Sequence, residues 1–281
     1  MIAVTGATGN IGRPLVNLLT EAGAEVTAVS RRPRPTGTAA DIRWAQADAG
    51  TAAGLRSALE GARALFLLLG GELNSRGENP VDLLDAATDA GVERIVLVSS
   101  QVSATRPQAL SHARLREFES AVRAAGPEFT ILRPGGFASN AFAWAETVRT
   151  TRTIFAPFAD VALPVIDPED IAAVAAAALR EDGHGDHVYE LTGPELISPR
   201  RQAAALSAAL GEEVTFVELT RAEAHVRMAQ FMPEQVVTGT LDVLGFPLPA
   251  EQEISPDVEA VLRRPATSFG EWAVRNSPVF R

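Results

Sequence analysis

Ile2-Ala3-Val4-Thr5-Gly6-Ala7-Thr8-Gly9-Asn10-Ile11-Gly12 opens the chain directly after Met1, and the rest of the sequence can be placed from it. A short β-forming run is followed at once by glycines spaced G-x-x-G-x-x-G. An amphipathic run, 12–22, comes next, and then a second apolar strand, 25–30. Strand, glycine turn, helix and strand in that order form the unit that holds a dinucleotide pyrophosphate at a helix N-terminus. Gly6 supplies the tight turn, Gly9 lets backbone amides approach the anion, and Gly12 lets the helix pack closely on the strand. With Thr8, Asn10 and Ile11 between them, these glycines are expected to line the cofactor site.

The same alternation continues outward. Further strands are expected at 42–46, 64–69, 94–99 and 129–133, with helices at 51–60, 80–90 and 109–125 between them. Several of these helices stop at a glycine (Gly23, Gly61, Gly91, Gly126), as a left-handed C-terminal cap requires. Continuous apolar strands such as Ile95-Val96-Leu97-Val98 imply burial on both faces. The expectation is an α/β fold, a doubly wound parallel sheet of the Rossmann type. Beyond Arg133 the rhythm loosens into a helix at 137–149 and an irregular, proline-containing stretch to Ile166. A helix opened by Asp167-Pro168, a strand at 187–191, a helix at 198–210 and a strand at 214–219 follow, and then a largely helical remainder. Residues 1–150 are read as the cofactor-binding core and 151–281 as a smaller C-terminal α/β region covering the substrate, the two interleaved in one body.

Two arginines either bear on the choice of cofactor or form only a solvated loop cluster. Arg31 lies 19 positions beyond Gly12, where an NAD-binding protein places an acidic residue for the ribose hydroxyls. An arginine has no use for a neutral 2′-hydroxyl but pairs bidentately with a 2′-phosphate, so Arg31 and Arg32 point to NADPH. Asp48, after the third strand, is either a hydrogen-bond acceptor for the adenine amino group or a turn residue before the next helix. Leu68, Leu69 and Gly70 end the fourth strand and should line the groove at the carboxyl edge of the sheet.

The 281 residues contain 25 basic side chains, every one an arginine, against 35 acidic ones; there is no lysine and no cysteine, and Tyr189 is the only tyrosine. Schiff-base chemistry, a P-loop lysine, disulfides, thiolate nucleophiles and zinc–thiolate or iron–sulfur sites are thereby excluded. The net charge of −10 argues against nucleic acid as the main partner. The longest apolar stretches, 64–69 and 171–179, fall well short of the ~20 residues needed to cross a bilayer. Nothing at the N-terminus resembles a signal peptide, and a cytoplasmic protein without a metal site is expected. Abundant alanine and arginine without lysine suggest a GC-rich genome.

Thr-Gly-Ala-Thr-Gly-Asn-Ile-Gly at 5–12, Ile-Val-Leu-Val-Ser-Ser at 95–100 and Phe-Thr-Ile-Leu-Arg-Pro-Gly-Gly-Phe at 129–137 with Asn140 resemble the NmrA-like atypical short-chain dehydrogenase/reductases. Tyr-Glu-Leu-Thr-Gly-Pro-Glu at 189–195 and Phe269-Gly270-Glu271-Trp272 extend the resemblance over nearly the whole chain. It is nearest to the branch of type 2 quinone oxidoreductases and triphenylmethane reductases. The resemblance implies NADPH, with Pro134, Gly135 and Phe137 beside the nicotinamide and Ser99 at the same end of the groove. The wider superfamily's Tyr-x-x-x-Lys acid pair would fall on His112 and Arg116. His112 is either a proton donor near neutral pH, and with Ser99 the catalytic candidate, or a helix-start residue on a polar surface. Phe142 and Trp144, with Gln101 and Asn140, are the substrate-side candidates. The aromatic cluster 137–158 would either stack on a planar ring or form an ordinary second core, and Asn140 is a donor or a turn former.

Hydride transfer to a simple ketone leaves an alkoxide that needs an acid, whereas a hydroquinone anion has a conjugate-acid pKa of roughly 10, by analogy with tyrosine. The missing Tyr-Lys pair therefore points to an NADPH-dependent reductase of a quinone or related conjugated aromatic compound, with aromatic-polyketide tailoring as a setting. A noncatalytic NADP(H) redox sensor, which the family also contains, is the alternative.

Overall fold

The computed structural model of the chain describes residues 1–35, 42–69 and 77–281. Its strands are β1 (Ile2–Thr5), β2 (Val26–Ser30), β3 (Arg43–Gln46), β4 (Ala64–Leu68), β5 (Arg94–Val98), β6 (Glu128–Pro134), β7 (Thr153–Pro157), β8 (His187–Leu191) and β9 (Thr215–Leu219). Seven form one sheet in the order β3-β2-β1-β4-β5-β6-β8, and the pairings from β3 through to β6 are all parallel. The chain reverses direction across the sheet between β1 and β4. Open α/β sheets bind their ligands at such a switch point, outside the carboxyl ends of the strands. Each of β1–β6 lies within one residue of the bounds expected from the sequence.

By contacts the chain divides into two units. The first comprises 1–107, 112–134 and 169–190, and the second 108–111, 135–168 and 191–281. In the first, α1 (Gly12–Glu21), α2 (Ala52–Ala58), α3 (Pro80–Asp89), the single turn α4 (Val102–Thr105) and α5 (Ala113–Ala124) connect the strands. Odd-numbered strand residues such as Leu65, Leu67, Ile95, Leu97 and Ile131 form one apolar cluster with Leu55, Leu59, Leu83, Leu84, Phe118 and Val122 from α2, α3 and α5. Even-numbered residues, Val4, Phe66 and Val96, are equally buried on the opposite face. Each such side chain contributes about 1.5–3 kcal/mol on burial, so both faces of the sheet stabilise the unit. The helix expected over 109–125 is broken: Leu110–His112 is a 3-10 turn, His112 adopts a non-helical ψ of 8°, and α5 starts after it.

The second unit holds α6 (Ala145–Thr151) before the chain returns to the first through α7 (Pro168–Arg180). It continues with α8 (Pro199–Leu210), α9 (Arg221–Met228), α10 (Glu234–Gly245), α11 (Asp257–Leu262) and α12 (Phe269–Asn276). The stretch read as irregular contains β7, which pairs in parallel with β9 in a two-stranded sheet. Ile154 and Ala156 point inward from β7 into a core built on Phe269, Trp272 and Phe280. The helix expected at 137–149 is 3-10 from Ala138 to Trp144 and α-helical only from Ala145.

Candidate functional site

The glycine turn meets the requirements of a pyrophosphate cradle. Gly6 has φ +63°, a left-handed conformation that L side chains rarely adopt. A Cβ at Gly12 would stand 2.2 Å from the Gly6 carbonyl oxygen and 2.9 Å from Ala7 Cα, so α1 approaches the turn after β1 to a distance only glycine permits. Gly9 N–H donates to the Gly6 carbonyl (2.9 Å) and Arg13 N–H to that of Gly9 (3.1 Å), closing the turn onto the helix. No side chain caps α1 and its first turn holds no acidic residue, which leaves the positive end of the helix dipole for an anion. Ile11, 2% exposed, anchors the turn in the core, while Thr8 is half-buried and Asn10 exposed. These features fit NADPH.

Thr5 was not singled out by its sequence. Its buried hydroxyl donates to the Phe66 carbonyl (3.0 Å) and accepts from Leu68 N–H (2.8 Å), tying β1 to β4 at the switch point. The signal available for it was a hydroxyl residue in the last strand position before the turn. A Cβ on Gly6 would touch the Leu68 side chain at 3.0 Å, so Leu68 floors the turn, and Leu69 is buried beside it. Gly70 lies outside the described residues.

Arg31 and Arg32 follow β2 directly and are exposed. Their backbone is held from three sides: Gln46 Nε2 donates to the Arg31 carbonyl (3.3 Å), Trp44 Nε1 to that of Arg32 (3.3 Å), and Arg32 N–H to Ser30 Oγ (3.0 Å). Since one such hydrogen bond contributes about 0.5–1.5 kcal/mol, Gln46→Leu should lower the preference for NADPH over NADH by about threefold in steady-state KM ratios. Asp48 Oδ1 accepts from Gly50 N–H (2.9 Å), and Thr51 caps α2 through Gly54 N–H (3.1 Å). The turn reading of Asp48 thus has its hydrogen bond.

At the carboxyl end of β5, buried Ser99 donates its hydroxyl to Glu119 Oε1 (2.6 Å). Glu119, on α5 and 4% exposed, also receives Arg133 through Nε (3.0 Å) and Nη2 (2.6 Å), and Arg123 at 3.3 Å. Burial alone would raise the Glu119 pKa; hydrogen bonds from Arg133, Ser99 and Arg123 outweigh it and hold the carboxyl below its ordinary value. Gln101, also buried, donates its backbone N–H to the Pro134 carbonyl (3.0 Å). His112 stands half-buried at the N-cap position of α5, its pKa lowered by burial and by the neighbouring Arg116.

Pro134 ends β6 in the first unit, whereas Gly135, Phe137, Asn140, Phe142 and Trp144 belong to the second. There Gly135 N–H donates to the Leu191 carbonyl (3.0 Å), Phe137 bridges to Ile166, and exposed Asn140 donates its N–H to the Phe137 carbonyl in a turn. Phe142 packs 5.1 Å from Trp272 and 6.0 Å from Phe280, and Trp144 lies against the same cluster. That packing favours a second hydrophobic core over a stacking platform for these two rings. Among the described residues no group of three or more His, Asp and Glu is arranged to hold a metal ion, and no helix is long and apolar enough to cross a membrane.

The profile of the NAD(P)H-binding family matches residues 6–182. A (4-alkanoyl-5-oxo-2,5-dihydrofuran-3-yl)methyl phosphate reductase of Streptomyces griseus is 34% identical over 284 residues, covering 100% of this chain and 99% of its own length. An NAD(P)H azoreductase of Xenophilus azovorans is 31% identical, with 100% and 99% covered. The crystal structure of the NADPH-dependent quinone oxidoreductase QOR2 of Escherichia coli with NADPH superposes with a TM-score of 0.82 at 27% identity, over 98% of this chain and 99% of that one.

Proposed function

The chain belongs to the NAD(P)H-binding, NmrA-like family and is an NADPH-dependent oxidoreductase, and we propose that its acceptor is a quinone or a related conjugated aromatic compound. NADPH supplies a hydride to that acceptor when bound. The Gly6–Gly12 turn and the start of α1 would hold its pyrophosphate, and Arg31 with Arg32 its 2′-phosphate.

The observation that carries the reading is the chemistry at the two positions of the superfamily's acid pair. They hold His112 and Arg116. Burial and the adjacent guanidinium hold the His112 pKa below its ordinary value, which disfavours the imidazolium that a general acid would need. The Ser99 proton is committed to a carboxylate. A ketone would be left as a strongly basic alkoxide. A quinone that accepts hydride becomes a hydroquinone anion, which water protonates without help because its conjugate acid has a pKa of roughly 10. The acceptors named for the relatives, a quinone, an azo compound and an alkanoyl-substituted oxo-dihydrofuran, are likewise conjugated and electron-poor.

The test is loss of NADPH absorbance with a panel of benzo-, naphtho- and anthraquinones set against unactivated aliphatic ketones. Turnover is expected with quinones alone; comparable kcat/KM for the ketones overturns the reading. In the same assay His112→Ala should keep kcat within about twofold from pH 5 to 8, where loss of a true general acid would cost ~10²–10⁴. Because the His112 pKa is lowered on folding, the neutral ring stabilises the fold above the unfolded value, and that stability is lost as pH falls below about 6.5. The melting temperature of His112→Ala should therefore fall less than that of the parent between pH 7 and 5.

A further inference from the structure

We infer that Glu119 is a positioning residue of the reaction: through Ser99 and Arg133 it sets the carboxyl ends of β5 and β6, the sheet edge against which the cofactor is read. The inference does not depend on the identity of the acceptor. One buried carboxylate receives Ser99, which follows β5 directly, and both nitrogens of the Arg133 fork, one residue before the end of β6. Arg133 reaches on to Glu190 of β8 (3.3 Å), so three neighbouring strands are joined from within the unit. The backbone is continuous with this tie: Ser99 N–H donates to Leu132 (2.7 Å) and Gln101 N–H to Pro134 (3.0 Å). Pro134 has no N–H of its own to offer the ladder, and its carbonyl is paired with Gln101.

Stability alone gives no reason to keep such a cluster. Burying a carboxylate with two guanidiniums forfeits so much hydration that an apolar replacement of similar volume is often as stable or more so. What an apolar replacement would not reproduce is direction. An ionised carboxylate accepts only, so it fixes the Ser99 proton toward α5. The Ser99 hydroxyl also lies 3.2 Å from that of Ser103 on α4, so its rotation is confined between the carboxylate and α4. The proton of Ser99 at the carboxyl end of β5 is thereby given one direction.

Glu119→Gln, Ser99→Ala and the double variant of the full chain decide it. A displacement of about 1 Å in a reacting geometry costs up to ~10² in rate, so Glu119→Gln and Ser99→Ala are each expected to lower quinone kcat about tenfold with KM for NADPH within about threefold. The double variant should be no worse than either single one, since both break one chain of contacts. The fluorescence of bound NADPH, which reports the nicotinamide surroundings, should shift in the same way in all three. Losses that multiply in the double variant, an unchanged kcat and fluorescence in Ser99→Ala, or a parallel fall of affinity and kcat with melting temperature overturn the inference. If the parent turns over no quinone, the acceptor reading fails, and the fluorescence still decides the role of Glu119.

Discussion

Gly12→Ala should remove measurable NADPH binding and lower the melting temperature as well. The added Cβ would sit 2.2 Å from the Gly6 carbonyl oxygen, and the next nearest atoms, Gly6 C and Ala7 Cα at 2.7 and 2.9 Å, are also backbone. No flexible side chain is available to swing aside. Either the turn moves outward into the volume an anion would fill, or α1 lifts from β1 and loosens Leu15 and Leu19, both fully buried. The first route misaligns at least two backbone donors whose bonds to a charged partner contribute ~1.5–3 kcal/mol each, on the order of 100-fold or more in Kd. The second costs about 1–3 kcal/mol of stability, as overpacked sites do. Gly9→Ala separates the two effects, because its Cβ would meet only the Gly6 oxygen, at 3.3 Å. It should weaken NADPH binding while leaving the melting temperature within about 2 °C, no more than the smallest shift that 1 kcal/mol produces in a large domain. Fluorescence titration and thermal melts read both variants. A Gly12→Ala protein that binds NADPH like the parent would show that this turn is not the cradle.

The glycine turn was readable because its signal is local: strand, glycines and helix are contiguous, and each glycine has its own geometric reason. The strands of the first unit were readable for a related cause, since burial on both faces writes a continuous apolar run into each of β1, β4 and β5. What failed were places where distant residues or a single backbone conformation decide. Thr153-Ile154-Phe155-Ala156-Pro157 is too short and too mixed to announce a strand, and becomes β7 only by pairing with β9, some sixty residues on. His112 breaks the helix expected over 109–125 through its own backbone angles, which no periodicity reports. In the sequence Glu119 is one polar position among several of the 109–125 run. Its significance comes from Ser99 and Arg133, which lie 20 and 14 residues away in sequence. Phe142 and Trp144 illustrate the converse, a composition suggestive of aromatic stacking that the second unit's own core accounts for.

Replacing Arg31 and Arg32 together by alanine should convert the enzyme from a clear NADPH preference to near indifference. The two cofactors differ only at the 2′ position, so any group that reads the 2′-phosphate must lose NADPH affinity and spare NADH. Both side chains are exposed, where a charge pair is screened and contributes less than it would when buried. Two charge-assisted contacts discounted in that way still amount to a combined loss of ~2–3 kcal/mol, or about 30–150-fold in Kd for NADPH, with NADH changed by less than threefold. Lysine at position 31 should recover only part of the loss, since a point charge cannot reproduce the planar fork that grips two phosphate oxygens. Salt supplies an independent check. If the preference is electrostatic, raising ionic strength from about 0.05 to 0.5 M should narrow the NADPH:NADH ratio of the parent protein and leave that of the double variant nearly flat. Equal losses for both cofactors would mean that the arginines support the fold of the β2 terminus, not the phosphate. A Gln46→Leu variant would then change nothing further, because the carbonyl it releases would have no selective side chain to aim.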